Sequence, residues 1–181
     1  DQQTAVTRDS VLDRFDQLPE QITPDRSKLW VIRTIDLGAR GDEGVAEYPT
    51  VEGETYPCLV SAVDSDGNEV AGIRLPDITQ PVASHAGWNS RDPKTGAPDQ
   101  QVPMIGFSRW FAATQSERQA TNDVRYSIEE RYESRAKYIE LVKLDTDNLV
   151  ENGFVLEQDA DMVVQNAVDR YDVAVARKSL N

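Results

Sequence analysis

The tight turn at Asp66-Gly67 constrains the fold of this chain more than any other local feature. It lies between two runs of β-prone residues, 58–63 and 69–75. Glycine adopts the positive φ that a tight hairpin turn requires, and Asp-Gly is a favoured pair at such turns. The pattern therefore predicts an antiparallel β-hairpin over about residues 57–75, on which a small sheet is built.

Patterns on either side of the hairpin complete the predicted fold. The segment 28–35 is rich in β-branched residues, and we expect it to extend the sheet as a further strand. Prolines from Pro76 onward punctuate a long loop that reaches about Phe111. A capping-box pattern predicts a helix over about 127–151, and a second C-terminal helix is expected over about 158–171. The predicted fold class is α+β, with a small antiparallel sheet, a long Pro-rich loop and C-terminal helices.

The chain has 181 residues, which is enough for one domain of ordinary size with a hydrophobic core. Apolar residues at helical spacing predict an N-terminal helix around residues 8–18. We expect a single domain over 1–181, in which an N-terminal helix and linker (1–27) precede a hairpin and loop region (28–111) and a helical region (112–181).

The net charge of −13 excludes some classes of partner. A chain with an isoelectric point near 4.4 is repelled by nucleic acids and by anionic membrane surfaces, so neither is expected as a partner. Strong acidity favours solubility, and it is also common in proteins of salty or extracellular settings, so a secreted or periplasmic location is slightly favoured over a cytoplasmic one. The compartment is not fixed by these data.

The sequence holds weak candidates for a catalytic site. The segment GFSRW (106–110) is the nearest match to a GxSxG nucleophile elbow, but it lacks the second glycine, so its serine is interpreted as a loop residue. His85 is the only histidine, and Asp77 is near enough in sequence to be its partner. Trp88 and Asn89 follow His85 and either line a substrate pocket or fix the loop.

The turn itself holds a weak candidate for a calcium site. Asp64, Asp66 and Asn68 have the alternating spacing that opens an EF-hand loop. However, Glu69 stands where that loop needs glycine, and Leu75 stands where it needs a bidentate glutamate. These residues are therefore interpreted as hairpin-turn residues, with adventitious calcium as the alternative. We expect no metal and no cofactor.

Several long stretches resemble one protein family. They are IDLGARGDEG (35–44), YPCLVSAVDSDGNEVAGIRLPD (56–77), GWNSR (87–91), SIEERYESRAKYIELV (127–142) and LEQDADMVVQNAV (156–168). In this order they resemble the C-terminal region of the bacterial "alpha/beta hydrolase domain" proteins, which are large serine-hydrolase-like proteins. The resemblance implies that the chain is the C-terminal portion of a larger hydrolase, downstream of the nucleophile elbow. It assigns no catalytic residue to this chain, and the position of His85 is usually not histidine in that pattern.

Three functions remain open. The first is a non-catalytic segment of an esterase-like α/β hydrolase, which packs on the catalytic part of the same hydrolase or on a partner chain and borders its pocket. The alternative is a stand-alone binding or structural module without enzymatic activity. The third is a small enzyme with a site around His85, Asp77 and Trp88. Exposed apolar surface favours the first, a closed core favours the second, and a concave pocket holding His85 with a perturbed pKa favours the third.

Overall fold

A computed structural model describes residues 4–19, 23–97, 100–102 and 104–177 of the chain. The described helices are α1 (Arg8–Phe15), α2 (Pro76–Thr79), α3 (Gln115–Thr121), α4 (Ile128–Arg131), α5 (Arg135–Glu151) and α6 (Ala160–Ala176). The described strands are β1 (Ala5–Thr7), β2 (Arg33–Asp36), β3 (Val51–Thr55), β4 (Leu59–Ser61), β5 (Ala83–Ala86), β6 (Asn89–Ser90), β7 (Gln101–Val102) and β8 (Phe107–Trp110). They pair antiparallel as β1–β4, β2–β3, β5–β8 and β6–β7. The predicted α+β class is confirmed.

The turn at Asp66-Gly67 forms as predicted, but the second arm of the hairpin is short. Gly67 has a φ of 84°, and the backbone N–H of Asp64 donates to the carbonyl of Asn68. Beyond one bridge between Val63 and Glu69, residues 69–75 form no ladder. The chain bends at Gly72, whose φ is also positive, so β4 pairs with the N-terminal strand β1 instead.

The prediction that residues 28–35 extend this hairpin is wrong. The strand begins only at Arg33, and it pairs with β3 in a separate two-stranded ribbon. Gly53 permits this pairing, because a Cβ at this position would lie only 2.2 Å from the hydroxyl oxygen of Thr34. The hairpin and the β2–β3 ribbon are therefore distinct units.

The predicted long loop contains short strands. Within it, β5 pairs with β8 in a regular register from Ala83–Trp110 to Ala86–Phe107, and β6 pairs with β7. Among the described prolines of this segment, Pro76 and Pro81 precede β5 and Pro93 lies between β6 and β7, so none of them interrupts a strand. Pro98 and Pro103, which contributed to that prediction, lie outside the described residues.

The helix predicted over 127–151 is divided into α4 and α5. Ser127 and Glu130 form the predicted capping box at the start of α4. The helix ends at Tyr132, which has extended backbone angles, and Ser134 then caps α5 by accepting from the backbone N–H of Lys137. A second capping serine so close to the first starts a new helix, and the break turns the ring of Tyr132 into the core. The last helix begins at Ala160 and ends at Ala176, so both of its ends lie after those of the helix predicted over 158–171.

Two hydrophobic clusters form the core. The larger joins β8 and the C-terminal helices, and it consists of Val82, Phe111, Ile128, Tyr132, Tyr138, Val142, Ala167, Tyr171 and Ala174. The smaller joins α1 to the hairpin and to the β5–β8 ribbon, with Val11, Phe15 and Leu18 at its centre. The β5–β8 ribbon therefore lies between the two clusters and contributes to both. No helix in the described ranges is long and apolar enough to cross a membrane.

Candidate functional site

A half-open cavity of about 170 Å³ lies between α1, the hairpin and β5. Its apolar wall comes from the smaller core cluster, mainly Val11, Phe15 and Val60. His85 lines it from β5, and Trp88 lines it from the segment that follows this strand.

Two aromatic rings of the cavity wall, Phe15 and Trp88, belong to a packed set of three. Phe15, Trp88 and Phe107 contact each other edge to face, with centroid distances of 5.1 to 5.7 Å. This arrangement is the preferred geometry of aromatic pairs. The backbone of Gly67 packs closely against the Phe15 ring, since a Cβ at this position would lie 3.2 Å from that ring.

His85 is held in the cavity wall through its backbone and its ring. Its backbone N–H donates to the Oδ1 of Asn68, which is fully buried below the turn. Its Nδ1 lies 2.8 Å from the Oγ of Ser108, its cross-strand neighbour on β8. Burial lowers the pKa of His85 below its usual value, so the imidazole is neutral at neutral pH.

Ser108 is the serine of the GFSRW segment, and the structure places it in the middle of β8. An elbow serine stands on a sharp turn between a strand and a helix, whereas the residues directly before and after Ser108 belong to the same strand as Ser108. Its contact with His85 was missed in the sequence. The two residues are 23 positions apart, and only the register of the β5–β8 pair brings them together.

The other proposed site residues lie elsewhere. Asp77, in the first turn of α2, forms an ion pair with Arg170 of α6 and does not contact the His85 ring. Asn89 is half-buried in β6, opposite Val102, and it does not line the cavity. The cavity therefore brings together His85 and Trp88 but neither Asp77 nor Asn89.

Each calcium candidate has at least one side-chain oxygen bonded within the protein. The Oδ1 of Asp64 accepts from the backbone N–H groups of Asp66 and Asn68, as in an Asx turn. The Oδ1 of Asp66 binds Arg131 at 2.5 Å, and the side chain of Asn68 bonds to the backbone of β5. Within the described ranges, no group of three or more His, Cys, Asp or Glu residues is arranged to hold a metal ion.

A buried ionic network beneath the turn was also missed in the sequence. Arg125 forms an ion pair with Asp123, and it donates to the hydroxyl of Ser84 and to the carbonyl of Arg109. The Ser84 hydroxyl in turn donates to the carbonyl of Asp66. This network joins the hairpin turn, both strands of the β5–β8 ribbon and the segment before α4, so it fixes the cavity wall.

Comparisons with known proteins assign the chain to a family. The model of the family described as "Alpha/beta hydrolase domain" matches residues 30–165, which is about three-quarters of the chain. The match contains the stretches from 35 to 142 on which the resemblance was based, and most of 156–168. No curated protein and no solved structure matches the chain significantly. Because the match extends over well more than half of its residues, the chain belongs to the alpha/beta hydrolase domain family.

Proposed function

We propose that this chain is the non-catalytic C-terminal segment of an esterase-like α/β hydrolase. It packs on the catalytic core and borders the substrate pocket. The serine, histidine and acid of acyl transfer come from other residues, and this chain contributes support and part of the pocket wall. Family membership supports a hydrolase context, and the position of Ser108 within a strand supports the absence of an elbow in the described residues.

The exposed apolar surface of the segment 30–56 carries this proposal. Eight of its hydrophobic residues are exposed over 40–99% of their area: Trp30, Ile32, Ile35, Leu37, Val45, Tyr48, Val51 and Tyr56. Trp30 is 84% exposed and Tyr48 is 99% exposed. Single exposed apolar residues are ordinary, but a concentration of this kind marks an interaction surface.

The β2–β3 ribbon gives a second reason for a covering partner. A two-stranded antiparallel ribbon is marginally stable in water unless it packs against another element. Neither of the two hydrophobic clusters includes a residue of β2 or β3. A catalytic core that covers the ribbon would supply the packing that the rest of the described chain does not.

Activity of the chain alone tests the non-catalytic part of the proposal. The purified chain is expected to show no turnover of nitrophenyl esters above the background of a heat-denatured sample. Turnover that persists through purification and is lost in His85→Ala would contradict the proposal and would favour an independent enzyme at the His85 cavity.

Association tests the packing part. The intact mass of the native protein, with co-purifying chains identified, is expected to reveal the catalytic part on the same polypeptide or on a bound chain. Trp30→Ser should weaken that association, or raise protease sensitivity at the ribbon if both parts share one polypeptide. Val173→Ser is the matched control, because Val173 is also exposed but lies on α6 outside the family match. A native chain that ends near these 181 residues and purifies alone would favour the stand-alone module.

A further inference from the structure

We propose that the cavity between His85 and Trp88 binds a small neutral aromatic molecule that carries one hydroxyl group, of the size of phenol. The proposal goes beyond the proposed function and does not rest on it, because every residue it uses belongs to the described chain. Four features of the cavity support it: its volume, its rigid aromatic wall, the neutral ring of His85 and the charges of its lining.

The volume fits one ring. At about 170 Å³, the cavity is slightly larger than the apolar cavity of about 150 Å³ that accepts benzene in a well-packed protein. A fused two-ring compound or a long acyl chain would extend out of the open side of this space. One six-membered ring with one polar substituent therefore fills it.

The wall is already arranged for an aromatic guest. Phe15 and Trp88 contact each other at 5.1 Å with an interplanar angle of 82°, and Phe107 supports both rings from behind. An inserted ring can add a further edge-to-face contact to this set, which is the favoured geometry for aromatic pairs. Because the three rings hold one another in place, binding requires little ordering of side chains, and preformed sites bind small molecules with the smallest entropic cost.

Among the polar residues that line the cavity, which also include Ser61, Glu69 and Gln101, the proposal assigns the hydrogen bond to His85. Its Nδ1 is bonded to Ser108, and burial keeps the ring neutral at neutral pH. A neutral imidazole presents either a donor or an acceptor at Nε2, according to its tautomer. A hydroxyl group can complement both tautomers, because it both donates and accepts, whereas a carboxylate or an ammonium group complements only one.

The charges at the rim disfavour an ionic ligand. Arg8 and Glu69 both line the cavity, and their charges are opposite. The Arg8 guanidinium is already engaged, since it donates to the carboxylate of Asp9 and to the carbonyl of Trp30. The chain also carries a net charge of −13, which repels anions in general. A neutral ligand meets neither an unpaired cation nor a repulsive field.

The test is a titration of the wild-type chain with phenol and, separately, with toluene, followed by the side-chain indole N–H signals in two-dimensional NMR. The three tryptophans give three signals, so Trp30 and Trp110 serve as internal controls for weak surface binding. We expect a saturable shift at Trp88 with a phenol Kd on the order of 1 mM. Toluene should bind roughly five-fold more weakly, because it forms no hydrogen bond with His85.

The variant His85→Leu isolates the hydrogen bond. Phenol affinity should fall to that of toluene, while toluene affinity should stay within about two-fold of the wild-type value. Intermolecular NOEs from phenol to Trp88 and Phe15 in the wild type provide a test that needs no variant. The proposal is overturned by any one of three results: no saturable shift at Trp88, absence of these NOEs, or equal affinity of the wild type for phenol and toluene.

Discussion

Arg125 and Asp123 form an ion pair that is almost completely removed from solvent, with only 2% and 4% of their side chains exposed. The guanidinium contacts both carboxylate oxygens, and its remaining donors bond to Ser84 and to two backbone carbonyls. Its carbon also lies 4.9 Å from the centre of the Phe111 ring. Because β5 is joined to this guanidinium through Ser84, and β8 through the carbonyls of Arg109 and Trp110, the pair links the stability of the fold to the shape of the site.

Removal of one partner of this pair should be strongly destabilising. In Asp123→Ala, the guanidinium of Arg125 stays buried without its counter-charge, which costs about 3–5 kcal/mol. For a chain of this size, the melting temperature should fall by roughly 6–20 °C. Differential scanning calorimetry measures the change. Asp172→Ala is the matched control, because it removes an exposed ion pair with Arg135 and should have a much smaller effect. Equal losses in the two variants would contradict the prediction.

Gly67→Ala tests the two constraints on the turn glycine. The positive φ of 84° costs about 1 kcal/mol for an alanine, and the new Cβ would also lie 3.2 Å from the Phe15 ring. Gly72→Ala has the same backbone penalty but meets no atom within 4 Å. We therefore expect Gly67→Ala to lower the free energy of unfolding in urea by more than Gly72→Ala does. If the free energy of unfolding falls by the same amount in both variants, the contact of the new Cβ with Phe15 contributes nothing to the loss.

The sequence predicts the features of this fold that depend on local chemistry. The turn at Asp66-Gly67 and the capping box at Ser127 and Glu130 appear as expected, because each is determined by a few neighbouring residues. Strand pairing was not predictable in the same way. β4 pairs with β1, more than 50 residues away, because the chain bends at Gly72 and leaves an open edge for the N-terminal strand.

The candidate site shows the same limit. His85 and Trp88 are close in sequence, so a shared environment for them could be expected, and both line the cavity. Asp77 precedes His85 by only eight residues, yet in α2 it forms an ion pair with Arg170 of α6. Ser108 reaches His85 only through the register of two strands. That register does not follow from any local sequence pattern, so it could not be predicted from the sequence.

The neutral state of His85 should make stability depend on pH. Burial lowers the pKa of His85 in the folded protein below 6.5, so the unfolded chain binds more protons at mildly acidic pH. Stability is fully present above pH 6.5 and decreases as the pH falls from 6.5 through the lower folded pKa, with a slope of at most about 1.4 kcal/mol per pH unit. Urea midpoints from pH 7.5 to 5 should fall in the wild type more than in His85→Asn. If the midpoints of the two proteins fall in parallel, a group other than His85 accounts for the pH dependence.

The hydrogen bond of the Tyr132 hydroxyl should stabilise the packing of the C-terminal helices on the segment before β5. It donates to the carbonyl of Pro81 at 3.0 Å in a buried environment, and burial raises the pKa of this phenol far above its usual value. In Tyr132→Phe the carbonyl loses its partner, so the free energy of unfolding should fall by about 1–2 kcal/mol. Tyr126→Phe, at an exposed position, should change it little. Chemical denaturation measures both losses, and an alkaline titration at 295 nm should show one fewer late-titrating tyrosine in Tyr132→Phe. Loss of an early-titrating tyrosine instead would place the Tyr132 hydroxyl in contact with solvent and contradict the buried hydrogen bond.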